Sequence, residues 1–261
     1  MNEKVPIRTV SRSISVLRAI NRHGSLSMMS ISKASGLSYP TAFRIVRTLM
    51  HEGLVEREPS RKHYRPTVLV QELSVGYRAH SKLVATARPF LEALTKTIGW
   101  PVSIATHVGM NMVLRDSTHA ATTLTFEHYP PGFTFPLLES ASGHLFLAHT
   151  TDEMREQVVQ WIGETEDAET ELQRFPTPQR LDLIRKQGYA TIEWGRFNLT
   201  PGRTSTISVP IFQGETFEAA LTLIYFAASM KQNVAIERYL TTLQETGDAI
   251  SAALSTAEAV E

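Results

Sequence analysis

The sequence predicts an α+β chain: an N-terminal winged helix-turn-helix followed by an α/β domain with a mainly antiparallel sheet. Three observations predict it. The charge is divided, with 12 Lys and Arg against 4 acids in residues 1–66 and 14 against 22 in the remainder, so a +8 head precedes a −8 body. Within the head, two short amphipathic helices flank a glycine turn and lead into a hairpin. Beyond it, strand-like runs arrive in pairs with helices interspersed.

The head is read element by element. "TVSRSISVLRAINRHG" places Val10, Ile14, Leu17 and Ile20 on one helical face, with Gly24 as the stop. "SLSMMSISKAS" (25–35) forms a shorter helix with Met28 or Met29, Ile31 and Ala34 inward. Gly36 is a helix C-cap, Ser38 caps a third helix, and Pro40 is tolerated in its first turn. On a wheel of that helix Ala42, Ile45, Val46, Leu49 and Gly53 share one arc. Pro40, Thr41, Arg44, Arg47, Thr48 and His51 share the opposite one, with no acid before Glu52. A positive, acid-free outer face suits a polyanion. Ser38, Tyr39, Pro40, Thr41, Arg44, Arg47 and Thr48 are therefore candidate contacts to double-stranded DNA, the arginines through phosphates or guanine edges. "LVEREPSRKHYRPT" turns at Glu58-Pro59-Ser60 and forms a two-stranded wing whose tip carries Arg61, Lys62 and His63. Arg61 and Lys62 complete the candidate DNA-binding set. The bland alternative is a trihelical dimerisation module whose charges are merely solvated.

Pro66 ends the wing. The predicted domains are residues 1–66 for DNA binding, a helical linker at 67–80, and an α/β domain at 81–261, which the resemblance described below makes effector-binding. The body opens with an amphipathic helix carrying Leu83, Val84, Ala87, Phe90, Leu91, Leu94 and Ile98 inward, bent or restarted at Pro89. Strands follow at 101–108, 111–119 and 124–130. A helix is expected at 139–150, with Thr151 or Asp152 capping the next, and an acidic loop at 163–171. A helix at 176–187, strands at 205–212 and 218–227, and a final helix at 233–254 complete the prediction.

Composition narrows the function. With 261 residues, 42% hydrophobic, the chain has length enough for two cored domains. It has no cysteine, hence no disulfide framework or thiolate metal site. The N-terminus lacks the apolar core of a signal peptide. No apolar run approaches the ~18 residues of a membrane span. A cytoplasmic protein without membrane association is expected. The 14 glycines are at least seven residues apart, which excludes both G-x-G-x-x-G and a P-loop. H-E-x-x-H is absent, and "SASGH" (140–144) is not a nucleophile elbow. No enzyme and no cofactor is expected. His107, His119 and His128 lie close enough in sequence to suggest a metal, but structural histidines account for them more simply, and no metal site is assigned.

Several segments together carry a resemblance: "RTVSRSISVLRAI", "LSYPTAFRIVRTLMHEGLVER", "PFLEALTKTIGWPVSIAT", "LLESASGHLFLA", "IRKQGYA" and "TISVPIF…AALTLIYFA". In this order and spacing the chain resembles the IclR family of transcriptional regulators over residues 7–255. Through "WPVSIAT", "VLRDSTH", "LTFEHY", "LLESASG" and "LIYFAASM" it is most similar to the subgroup that activates 3-hydroxyphenylpropionate catabolism. The resemblance implies a winged helix-turn-helix on operator DNA and a GAF-like domain that binds a small organic acid, often aromatic. It also implies a homodimer or dimer of dimers. "SASGH" departs from the commoner pattern, in which a Lys stands at the His144 position.

The effector pocket is approached from chemistry and resemblance together. Arg115 lies in an apolar strand run, and an interior guanidinium needs an anion: a ligand carboxylate, or Asp116, Glu127 or Glu139. The resemblance adds Ala141, Ser142, Thr206, Ser208 and Thr222. His128 and Tyr225 are candidate hydrogen-bonders, and Phe126, Phe133 or Phe135 a candidate aromatic wall. Two rival functions are a methyltransferase-type enzyme with a winged-helix dimerisation domain, and a structural DNA-binding protein without a ligand. The missing glycine-rich loop opposes the first and the large acidic body the second.

Overall fold

The computed structural model describes residues 7–74, 81–126, 129–165, 167–195 and 201–258. Contacts divide the chain into two units, Met1–Ala79 and His80–Glu261. In the first, α1 (Arg8–His23) ends at Gly24, β1 (Leu26–Ser27) follows, and α2 (Met28–Ser35) leads to α3 (Tyr39–His51). The wing is β2 (Val55–Arg57) and β3 (His63–Pro66), and a 3-10 helix spans Val68–Ser74. The three strands form a small antiparallel sheet in the order β1-β3-β2. Ser27 starts α2 by accepting a hydrogen bond from the Ser30 N–H. Val16, Ile20, Met28, Ile31, Ala42, Ile45, Val46, Leu49 and Val55 make one apolar core. At about 1.5–3 kcal/mol for each large side chain removed from water, this core holds the three helices together.

Local differences from the expected faces are informative. Val10 and Ile14 are 52% and 47% exposed, whereas Ile20 is buried and Leu17 partly buried as expected, joined by Val16 and Ala19. Helical periodicity identified the helix, but the neighbours decide which adjacent stripe is covered. Met28 is inward and Met29 outward, while Ala34 is exposed. His63 does not sit at the wing tip: its ring meets the Ser25 hydroxyl at 3.3 Å, which donates to Glu58 at 2.7 Å. Gly53 lies against Leu69, whose Cδ1 would be 3.0 Å from an added Cβ.

The second unit contains α4 (Ser81–Ile98), β4 (Val102–Val108), β5 (Asn111–Ser117) and β6 (Thr134–Pro136). Then come α5 (Ala141–His149), α6 (Asp152–Gly163), α7 (Ala168–Arg174), α8 (Pro178–Gln187) and β7 (Ala190–Ile192). The long hairpin β8 (Thr204–Gln213) and β9 (Thr216–Phe226) and the helix α9 (Gln232–Glu258) complete it. Among the described residues six strands form one sheet, ordered β6-β5-β4-β9-β8-β7, with every pairing antiparallel. Residues 124–126 and 129–130 are not strand; the edge strand is β6 instead. The stretch expected as an acidic loop contains α7, and α4 runs through Pro89 as one helix. Strands β1 and β7 had too few residues to show a period.

The sheet separates two cores. Ile104, Ile207, Val209, Leu221, Leu223 and Tyr225 face α4 and α9. Ala105, Met112, Ala190 and Ala220 face α5 and its neighbours. Alternation along β8 and β9 is therefore apolar on the α4–α9 side, leaving Thr204, Thr206, Ser208, Thr222 and Ile224 for the other.

Candidate functional site

The recognition candidate is built by the turn that precedes it. Gly36 takes φ 67°, a left-handed conformation that favours glycine, and lets the Leu37 N–H close on the Ser32 carbonyl at 3.2 Å. The chain can then start α3 at once. Ser38 occupies the N-cap position, but its hydroxyl meets the Thr41 hydroxyl at 3.0 Å and makes no side-chain bond to the helix N–H groups. Arg44, Arg47 and Thr48 are exposed together with Tyr39 and Pro40, while Ala42, Ile45, Val46 and Leu49 are buried. The Thr48 hydroxyl donates back to the Arg44 carbonyl at 3.2 Å. Among the described residues no ion pair engages Arg44 or Arg47. Their charge faces outward from a helix that contains no acid. Arg61 and Lys62 are exposed in the turn joining β2 and β3. The α3 candidates thus share one surface element, and the two wing residues a second one of the same unit.

A cavity of the second unit that several of the expected effector residues line lies on the α5 side of the sheet. Its volume is about 100 Å³, the same order as the ~150 Å³ cavity that takes one benzene ring. The floor is set by strand register. Ser103, Thr222 and Ser208 are successive partners across β4, β9 and β8, and Ile224, Thr206 and Ile192 form the next row. A band of hydroxyls therefore crosses the sheet where an ordinary core would be aliphatic. Ser208 and Thr222 share a hydrogen bond of 2.8 Å. Tyr129, Phe133 and Phe135 supply aromatic lining, together with His119, whose ring centroid lies 4.7 Å from that of Tyr129.

The N-terminus of α5 closes the cavity. The Ser140 hydroxyl accepts from the Gly143 N–H at 3.0 Å, and Ala141 and Ser142 are buried in the lining. First-turn N–H groups have no partner within the helix, and the positive end of its dipole favours an anion. Gly143 is required for this approach, because a Cβ there would stand 1.9 Å from the Leu137 carbonyl oxygen. Among the described lining residues there is no lysine or arginine; Glu139 is the charged group, and it is paired with Arg174 at 2.8 Å.

The expected effector residues divide cleanly. Ala141, Ser142, Thr206, Ser208 and Thr222 come together around the cavity, with Phe133 and Phe135. Tyr225 does not: alternation turns it to the opposite face, where it is 1% exposed among the α4–α9 core. Burial raises its phenol above the ordinary range. Phe126 stacks on Phe226 at 4.2 Å and is outside the cavity lining. His128 and Glu127 lie outside the described residues.

Arg115 also lies away from the cavity, for a reason visible in the register. Ile104 pairs with Asp116 and Ala105 with Leu114, so Arg115 is the extra residue of a β-bulge. Leu114 faces the cavity, whereas Asp116 reaches α4 and accepts from Arg88 at 2.6 Å. Burial lowers the Arg115 pKa from its ordinary value, with the Glu218 carboxylate acting in the opposite direction. Sequence reasoning missed Ser103, His119, Tyr129, Ser140 and Thr204 as lining residues. The two-residue spacing of Thr204, Thr206 and Ser208 was a usable sign; nothing local marks the others. Of the three candidate histidines, His107 and His119 lie among the described residues and His128 does not. His107 stacks on Phe146 at 3.9 Å, and no group of three metal-ligating residues occurs among the described residues.

Comparison with known proteins agrees with this architecture. Residues 9–59 match the IclR helix-turn-helix domain, and residues 75–252 match the C-terminal domain of bacterial IclR transcriptional regulators. The transcriptional regulator SauR of Cupriavidus necator is 29% identical over 148 residues, covering 57% of this chain and 58% of that protein. The HTH-type regulator TsaQ1/TsaQ2 of Comamonas testosteroni is 24% identical over 160 residues, 60% of this chain and 56% of that protein. The matches thus span less than two thirds of either relative. An IclR homologue from Microbacterium hydrocarbonoxydans, solved with 4-hydroxybenzoate, superposes with a TM-score of 0.63 at 20% identity, covering 95% of this chain and 99% of that one. The Thermotoga maritima IclR gives 0.62 at 21%, with coverage of 95% and 99%. At such identities the likeness establishes the fold alone. The family models between them cover most of the sequence, and the chain belongs to the IclR family of bacterial transcriptional regulators.

Proposed function

We propose that this DNA-binding regulator reads an operator through Ser38, Tyr39, Pro40, Thr41, Arg44, Arg47 and Thr48 of the α3 region. Arg61 and Lys62 of the wing anchor neighbouring phosphates, and a small aromatic carboxylic acid controls the response. The domains act as 1–66 for DNA, 67–80 as linker and 81–261 as sensor. The observation that carries the effector reading is the cavity itself. Its floor is a row of hydroxyls, its end is the N-terminus of α5, and its wall is aromatic. That combination suits a flat ring bearing a carboxylate held by neutral donors and a helix dipole. The Microbacterium relative solved with 4-hydroxybenzoate supports the same ligand class. A phenylpropionate-like acid, and control of a catabolic operon, are the corresponding biological reading.

One recognition helix contacts few base pairs, so the working form is a homodimer or dimer of dimers on paired half-sites, in the cytoplasm. No helix among the described residues is long and apolar enough to cross a membrane. The test is thermal stabilisation of the full chain by 4-hydroxybenzoate, 3-hydroxyphenylpropionate and aliphatic acids. An aromatic acid should raise the Tm and change affinity for the operator; stabilisation only by aliphatic acids would overturn the aromatic assignment.

A further inference from the structure

Helix α3 carries an apolar strip that the fold does not use. Tyr39 is 47% exposed, Phe43 37% and Met50 37%. The Tyr39 and Phe43 rings are stacked, with centroids 6.3 Å apart and planes 6° from parallel. At about 100° per residue these three side chains fall within roughly 40° of one another on the wheel. The strip borders the outward arc that carries Pro40, Arg44, Arg47 and His51. Thr41 and Thr48 lie on the other side of that arc. The helix therefore presents a positive centre with a hydroxyl flank and an aromatic flank. Large apolar groups left in water at a surface are informative when they are contiguous.

We propose that Tyr39 and Phe43 are specificity-determining residues that read thymine C5-methyl groups in the major groove. The inference rests on α3 being the reading helix. The occupant follows from charge: Arg44 and Arg47 stand beside the strip on an acid-free helix, so the surface that meets the strip is a polyanion. On the floor of the major groove the apolar feature of a base pair is the thymine methyl. Tyr39 and Phe43 also belong to the N-terminal half of α3, the half of a recognition helix that enters the groove. Their stacking fixes two rings as one plate, which suits apolar contact with base edges. The operator should therefore contain A·T pairs whose thymines are recognised by the methyl rather than by hydrogen bonding alone.

The experiment uses the full chain and the tightest duplex it selects from random-sequence DNA, resynthesised with uracil replacing each thymine in turn. Uracil deletes the methyl and keeps every hydrogen-bonding group. At one or two positions per half-site, affinity should fall about fourfold, the factor expected for one buried methyl group. In Phe43→Ala or Tyr39→Ala chains that penalty should vanish while overall affinity drops; in Arg44→Ala it should persist. The inference is overturned if every uracil duplex binds within about 1.5-fold of its parent, or if the penalty survives in the Tyr39→Ala/Phe43→Ala double variant. A Phe43→Ala chain that sediments at half the parent mass, with thymine and uracil duplexes weakened equally, would assign the strip to a second copy instead. Failure to enrich any sequence would remove the reading-helix assignment itself, and this inference with it.

Discussion

Ser208 and Thr222 stand directly opposite each other on β8 and β9, and their hydroxyls share a hydrogen bond of 2.8 Å on the cavity side of the sheet. Ser208 is fully buried. Removing one partner leaves the other hydroxyl without this bond, at a cost of about 1–3 kcal/mol, whereas removing both is nearly neutral. Ser208→Ala and Thr222→Val should each destabilise the fold, and the double variant should recover most of the loss in a denaturant cycle. Effector affinity should fail to recover. A double variant that binds the acid normally would exclude these hydroxyls from the ligand.

Operator affinity should depend on Arg44 and Arg47, which the fold leaves without internal ion pairs among the described residues. Either alanine variant should cost about 1–3 kcal/mol if the side chain meets a base edge. Arg61→Ala or Lys62→Ala should act more weakly, reducing the salt dependence of binding by about one counterion each. Fluorescence anisotropy at several salt concentrations measures both. Unchanged affinity in the Arg44→Ala/Arg47→Ala chain would show that α3 is not the reader.

Gly143→Ala should damage the sensor specifically. The new methyl would overlap the Leu137 carbonyl, so the start of α5 and the Leu137 backbone must move apart. A loss of at least about 2 kcal/mol in stability is expected, in the range of a buried steric conflict. Gly163→Ala is the control: a Cβ there meets nothing within 4 Å. It should be neutral or stabilising by up to about 1 kcal/mol. Equal effects of the two would refute the close-approach explanation.

Much of this was legible because it is periodic. Residues Ala42, Ile45, Val46 and Leu49 are placed by the 3.6-residue repeat, whereas Thr206, Ser208 and Thr222 enter through the family resemblance, and two-residue alternation accounts for the face they share. Tyr225 and Arg115 show the limits. Tyr225 lies one strand position from a cavity residue, so it faces the other core. Arg115 sits where a bulge interrupts the alternation, and a bulge depends on pairing with β4 that one strand alone does not encode. Ser103, His119 and Tyr129 reach the cavity through non-local register and loop packing, which no short window contains. Arg115→Ala should accordingly leave effector affinity within about twofold, measured by calorimetry.

Stability should fall as pH drops below neutrality, because His107, His144 and His149 are held neutral by the fold. Burial is the largest cause of the lowered pKa in all three. The Gly109 backbone opposes it at His107 and the Leu138 carbonyl at His144, where Arg180 adds repulsion; Arg185 does the same at His149. His107 lies on Phe146 and His149 is stacked with Phe217 at 6.2 Å, so an apolar ring covers one face of each imidazole. The unfolded chain takes up these protons near its ordinary value of 6.5, before the folded chain does. The unfolded state then binds more protons, so stability is complete above about pH 6.5 and declines below it, towards the lower folded values. Each histidine contributes a slope of up to about 1.4 kcal/mol per pH unit in that window. Urea unfolding of the full chain between pH 7.5 and 5.0 measures it, and His107→Gln with His149→Gln should flatten the curve. A pH profile unchanged by these substitutions would show that other groups carry the acid sensitivity.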